Sequence, residues 1–122
     1  MNEYQVAIGE STCASVFWAA PTTAGGKAAI DVRQMSQIAL ERSTTAKQAI
    51  QLMGDLAVQY GFYGADWSGG DNSLGEGGET LTVVDKTESW VFHVLADDTG
   101  TSAVWAAQRV PEDHVSFTRY FV

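Results

Sequence analysis

Cysteine occurs once in the 122 residues, at Cys13, so no disulfide can close within the chain and no cysteine-rich zinc cluster can be built. That usage is compatible with a reducing compartment such as the cytoplasm. Histidine occurs only at His93 and His114, which leaves few bases and few metal ligands. Cations are scarce: seven Lys and Arg stand against fifteen Asp and Glu, a formal charge of −8. The seven are scattered rather than clustered, which argues against the phosphates of a nucleic acid as partner. No apolar run approaches the roughly 18 residues that a membrane-spanning helix requires, so no membrane partner is expected. The N-terminus lacks the basic-then-apolar pattern of a secretory signal. There is no phosphate-cradling glycine loop, no zinc-protease helix motif and no serine nucleophile elbow. No cofactor and no metal are expected.

What the chain does contain is ordinary for a soluble domain: 45% hydrophobic and 18% charged residues. At this length it is one domain or part of one, able to bury about two-thirds of its unfolded surface if complete. Residues 5 to 9 predict a strand, and the small residues Gly9 to Ser15 predict a turn or loop leaving it. Val16-Phe17-Trp18-Ala19-Ala20 form a second short apolar segment, ended by Pro21 and the Gly25-Gly26 pair. Asp31 is placed to cap a helix in which Val32, Met35, Ile38 and Ala39 recur at helical spacing. Arg42 suits the negative end of that helix dipole.

Thr45 and Gln48 have the spacing of a capping box for a second helix. Ala46, Ala49, Ile50, Met53, Leu56, Ala57 and Tyr60 trace its apolar stripe, and Gly61 ends it. Gly54 interrupts the helix at a cost of about 1 kcal/mol relative to alanine, which a close approach to a neighbour would explain. Residues 61 to 79 then hold seven of the twelve glycines, the pattern of a lid, a binding loop or a disordered segment. Their carboxylates, Asp66, Asp71, Glu76 and Glu79, do not have EF-hand spacing.

From Thr80 the pattern turns to strands. Thr80 to Val84, Trp90 to Leu95 and Ser102 to Val110 are separated by short polar turns, and an extended piece runs from His114 to Val122. Helices followed by such a meander predict an α+β layer, with the helices on one face of an antiparallel sheet. Trp90, Phe92 and Val94 share one face of their strand, Val91, His93 and Leu95 the other. Both are apolar, so two covering layers are expected, and the chain accounts for one.

Among reactive groups, Cys13 would need a neighbouring base or positive field to become a nucleophile. Neither histidine is near it in sequence, and a structural cysteine is the commoner case. Glu10, Ser11 and Thr12 follow an apolar strand directly. A carboxylate there could hold a substrate ammonium group, with hydroxyls beside it, against the plain alternative of a solvated turn.

Several stretches, taken in order, resemble the dipeptidases of peptidase family C69, relatives of the secernins. They are Met1-Asn2-Glu3, Gln5-Val6-Ala7-Ile8-Gly9-Glu10-Ser11-Thr12, and Met35-Ser36-Gln37-Ile38-Ala39-Leu40-Glu41-Arg42. Thr45 to Gly54, Glu88-Ser89-Trp90-Val91-Phe92 and Trp105 to Val115 complete the set. The resemblance implies an αββα sandwich of N-terminal-nucleophile hydrolase type that hydrolyses dipeptides. It also implies a catalytic cysteine at a mature N-terminus, upstream of the segment matching Met1-Asn2-Glu3. A terminal amine, with a pKa near 7.7–8.0, can act as base for its own side chain, and the internal Cys13 has none. The expectation is therefore a fragment, residues 1 to 122 of one such domain, lacking the nucleophile segment and the C-terminal part. No residue of this chain is expected to be catalytic, and Glu10, Ser11 and Thr12 are the expected substrate-binding residues. The tail departs from the family pattern, with Tyr120 near the place of an expected asparagine. The alternative is a non-catalytic module of the same fold that binds a partner or forms a homo-oligomer.

Overall fold

Strand Ala7–Cys13 (β1) lies at one edge of a single sheet whose remaining strands are Gly78–Val84 (β2), Ser89–Ala96 (β3) and Ala103–Val110 (β4). The order is β1-β2-β3-β4 and every pair is antiparallel. The structure, a computed structural model, describes residues 1–64 and 77–119. Between β1 and β2 come two helices, Val32–Arg42 (α1) and Ala46–Tyr60 (α2), preceded by a short 3-10 turn at Thr22–Ala24. The architecture is α+β: two helices packed on a four-stranded antiparallel sheet.

The helices form where capping chemistry and apolar spacing coincide. Asp31 accepts the Gln34 N–H at 2.7 Å while the Gln34 side chain accepts the Asp31 N–H at 3.2 Å, a complete capping box. Thr45 accepts the Gln48 N–H at 3.2 Å, but the reciprocal contact falls one residue earlier, the Gln48 side chain accepting from Thr44 N–H at 3.0 Å. A long-range group completes this cap, for Asp85 accepts the Ala46 N–H at 2.8 Å. Gly61 ends α2 at φ 73°, its N–H bonded to the Ala57 carbonyl.

The core lies between the helices and one face of the sheet. Met35 and Ala39 of α1, Ala49, Ile50, Met53 and Ala57 of α2, and Leu81, Val83, Phe92 and Val94 of the sheet are buried together with Val6 and Phe62. Each large apolar side chain so buried contributes about 1.5–3 kcal/mol relative to leaving it in water. Gly54 permits the closest approach: a Cβ at that position would lie 2.2 Å from the Trp105 ring. Trp105 in turn packs against Phe92, ring centroids 5.6 Å apart.

Asn2 ties the N-terminal segment to the end of α1. Its amide donates to the carbonyls of Leu40 and Ser43 at 2.9 and 2.8 Å, satisfying acceptors that the helix end leaves open. Its carbonyl oxygen accepts from the N–H groups of Tyr4 and Val6, both at 3.0 Å. The tight turn this closes places Gln5 at φ 68°, a left-handed conformation that a side chain rarely adopts.

One expectation is corrected. Gly9 to Cys13 are not a loop but five of the seven residues of β1, because register with β2 continues through Cys13↔Gly78. In the short apolar segment 16 to 20, Val16, Phe17 and Trp18 are exposed, and Pro21 after it bridges Ala28. The final extended piece has no ladder partner over residues 114–119, and Tyr120 lies outside the described residues.

Candidate functional site

Alternation along β1 divides the residues that the sequence groups together. Glu10 and Thr12 stand opposite Leu81 and Glu79, on the face toward the helices, whereas Ser11 stands opposite Thr80 on the other face. Glu10 is exposed and lines a cleft of about 730 Å³ with Glu3, Tyr4, Asp31, Arg33 and Glu41. Four carboxylates around that opening form a surface suited to an ammonium group, with the Arg33 guanidinium as an opposing charge in the lining. Ser11 and Thr12 do not line it.

A second constellation occupies the open face. Thr80 and His93 are directly opposed across β2 and β3, and the Thr80 hydroxyl lies 2.9 Å from His93 Nδ1. On the other side the same hydroxyl lies 3.0 Å from Cys13 Sγ. Thr80 is 3% exposed, so water cannot replace the hydroxyl between its two partners. Cys13 is half-buried, with the Ser11 carbonyl as a more distant acceptor at 3.7 Å, and His93 is exposed. Three adjacent strands thus carry a thiol, a hydroxyl and an imidazole in one hydrogen-bonded line. His93 and His114 both line a cleft of about 670 Å³ between this face and the segment Pro111 to Thr118.

Thiol, hydroxyl and base alone do not make an amidase. Attack on a carbonyl builds charge on its oxygen, which needs donors aimed at it. Backbone N–H groups of a strand lie in the plane of the sheet, while the Cys13 side chain stands off its face. β1 therefore offers no oxyanion site to its own cysteine.

Glu79 is the group that sequence reasoning undervalued. It stands on the core side of β2 between Thr12 and Val94 and is 1% exposed, a carboxylate in a position that alternation reserves for an apolar side chain. The signal was present: Glu79, Leu81 and Val83 share one parity in a strand whose core face must be odd-numbered. The other carboxylates of the glycine-rich stretch, Asp66, Asp71 and Glu76, lie outside the described residues. Among the described residues no cluster of three or more His, Cys, Asp or Glu could hold a metal ion.

The sequence model of peptidase family C69 matches residues 1–119. The chain belongs to peptidase family C69. No solved structure matches it. Membership of C69 supports a peptidase acting on a peptide substrate, and among the described residues no helix is long and apolar enough to cross a membrane. The C69 match runs through both constellations, since β1 carries Glu10 to the acidic cleft and Cys13 to the open face.

Proposed function

We propose that this chain forms one helix-and-sheet half of a dipeptidase domain of the N-terminal-nucleophile sandwich type, with the hydrolytic nucleophile supplied from outside Cys13. The carrying observation is the uneven covering of the sheet. The helices bury Leu81, Val83, Phe92 and Val94 on one face, whereas on the other Val104 is 60% and Leu95 37% exposed. An αββα sandwich would seat its second sheet on that face. Glu10, in the acidic cleft, is the residue we assign to the ammonium group of a dipeptide, and Ser11 and Thr12 flank it along the same strand.

Such a peptidase requires a thiolate with a nearby base and a set of oxyanion donors, and then water to release the acyl group. Cys13 has the first two within reach and lacks the third on its own strand. The purified chain is therefore expected not to turn over dipeptides. Robust hydrolysis that Cys13→Ala abolishes would defeat this reading. The alternative, a module that associates through the same face, draws on the exposed Leu95 and Val104. Solution mass measured by size exclusion with light scattering separates the two, a stable dimer lost in Val104→Glu favouring the module.

A further inference from the structure

We propose that Cys13, Thr80 and His93 form a proton relay that makes Cys13 a site of thiol–disulfide exchange with small disulfides, an activity separate from peptide hydrolysis. The relay has a buried centre and accessible ends: Thr80 is 3% exposed, Cys13 half-buried and His93 at the surface. Its two links, 3.0 Å from Cys13 Sγ to Thr80 Oγ1 and 2.9 Å from Thr80 Oγ1 to His93 Nδ1, both run through one hydroxyl, which can accept from one partner and donate to the other. With the imidazole proton on Nε2, His93 Nδ1 accepts the Thr80 proton and Thr80 Oγ1 accepts the thiol proton.

The chemistry is chosen by what the site lacks. Exchange with a disulfide requires a thiolate, a proton acceptor and a departing thiolate, and no carbonyl oxygen has to be stabilised. The Cys13 S–H bond breaks as its proton passes to Thr80 and the Thr80 proton passes to His93. The sulfur electron pair attacks one sulfur of a low-molecular-weight disulfide, forming a mixed disulfide on Cys13. The old S–S bond breaks, and the departing thiolate takes the proton from the His93 imidazolium. Cys13 is oxidised to the mixed disulfide, one sulfur of the reagent is reduced to a thiol, and no other oxidant enters.

The partner of Cys13 across the ladder fits this use. Gly78, its direct neighbour in β2, places no side chain beside the sulfur, and a Cβ there would lie 2.5 Å from Leu95 Cδ2. The Leu95 side chain thus covers the Gly78 position next to Cys13, an apolar surface that suits the organic part of a small disulfide better than its charged ends.

The test uses the full chain with dithiobis(nitrobenzoate) as chromogenic disulfide and oxidised glutathione as a second probe, adducts being located by peptide mass mapping. The native chain is expected to form one adduct per molecule, on Cys13. Thr80→Val preserves shape and removes the hydroxyl; His93→Gln keeps a hydrogen-bonding group at the surface and removes the base. Each should slow exchange by about a hundredfold, the low end for a positioned proton acceptor. In urea, where the relay is absent, wild type and variants should react alike. Variants within about twofold of wild type when folded, or a native thiol that forms no adduct, would overturn the proposal. Should Thr80→Val fail to fold, the exposed His93→Gln decides alone. Dipeptide turnover, assayed on the same preparations, is an independent readout and does not bear on this outcome.

Discussion

Replacing Gly54 by alanine sets two physical effects against each other, and the geometry decides between them. In the interior of a helix alanine is favoured over glycine by about 1 kcal/mol, so helix propensity alone predicts a more stable protein. The alanine Cβ, however, would fall 2.2 Å from Trp105 Cε2, 2.5 Å from Nε1 and 2.6 Å from Cζ2. Carbon atoms at rest stand about 3.5–4.0 Å apart, so helix and ring must separate by more than about 1 Å. Trp105 has little room to yield, since it is held between α2 and Phe92. Overpacking of this kind costs about 1–3 kcal/mol and occasionally more. At 2.2 Å the clash belongs at the upper end of that range, so it outweighs the propensity gain, and Gly54→Ala should destabilise the fold by about 2 kcal/mol. Urea unfolding followed by far-UV circular dichroism and tryptophan fluorescence measures it. Repeating the change in a Trp105→Phe background should recover most of the loss, because the smaller ring leaves space. A Gly54→Ala protein at least as stable as wild type would refute the reasoning.

Asn2→Ala removes four hydrogen bonds, two to carbonyls at the end of α1 and two within the N-terminal turn, and at about 0.5–1.5 kcal/mol each should cost about 2–6 kcal/mol in denaturant unfolding. Asn2→Asp keeps the acceptors but turns a negative group toward the Leu40 and Ser43 carbonyls, and should be no more stable than the alanine variant. Asp85 gives a pH-dependent case. Burial acts to raise its pKa, but the N–H groups of Ala46, Thr87 and Glu88 and the Thr87 hydroxyl together hold it below the ordinary carboxylate range. Its stabilisation is therefore complete above about pH 4, its unfolded value, and is lost as the pH falls through the lower folded one. Asp85→Asn should cost about 1–3 kcal/mol at pH 7 and flatten the acid limb of the stability curve, a difference that closes toward pH 2.

The helices were legible in the sequence because their determinants are local. Asp31 and Gln34, Thr45 and Gln48, and the apolar stripe ending at Gly61 all act within a few residues of chain. The meander was legible for the same reason, its strands being joined by short turns such as Asp85 to Glu88. What local pattern could not reveal was the place of β1. Its small polar residues read as a loop, and only pairing with a strand some 70 positions later makes an extended ladder of Glu10 to Cys13. The placement bears on chemistry: in a loop Glu10, Ser11 and Thr12 could converge, whereas in a strand the pleat sets Ser11 on the face opposite the other two.

The same long-range pairing created what the sequence concealed. Cys13 and His93 lie 80 residues apart, and each looked isolated. Their connection depends on two registers at once, Ser11↔Thr80 from β1 and Thr80↔His93 from β3. Shifting either by one residue would turn Thr80 away from its partner and dissolve the line, because side chains alternate at every step. A thiol and an imidazole can thus be brought into proton contact without any motif along the chain. The arrangement is a property of the sheet rather than of any one segment. Changes at the β2–β3 turn, far from the sulfur, should therefore alter Cys13 reactivity. Inserting one residue between Asp85 and Glu88 should leave the thiol present but slow its exchange to the level of His93→Gln.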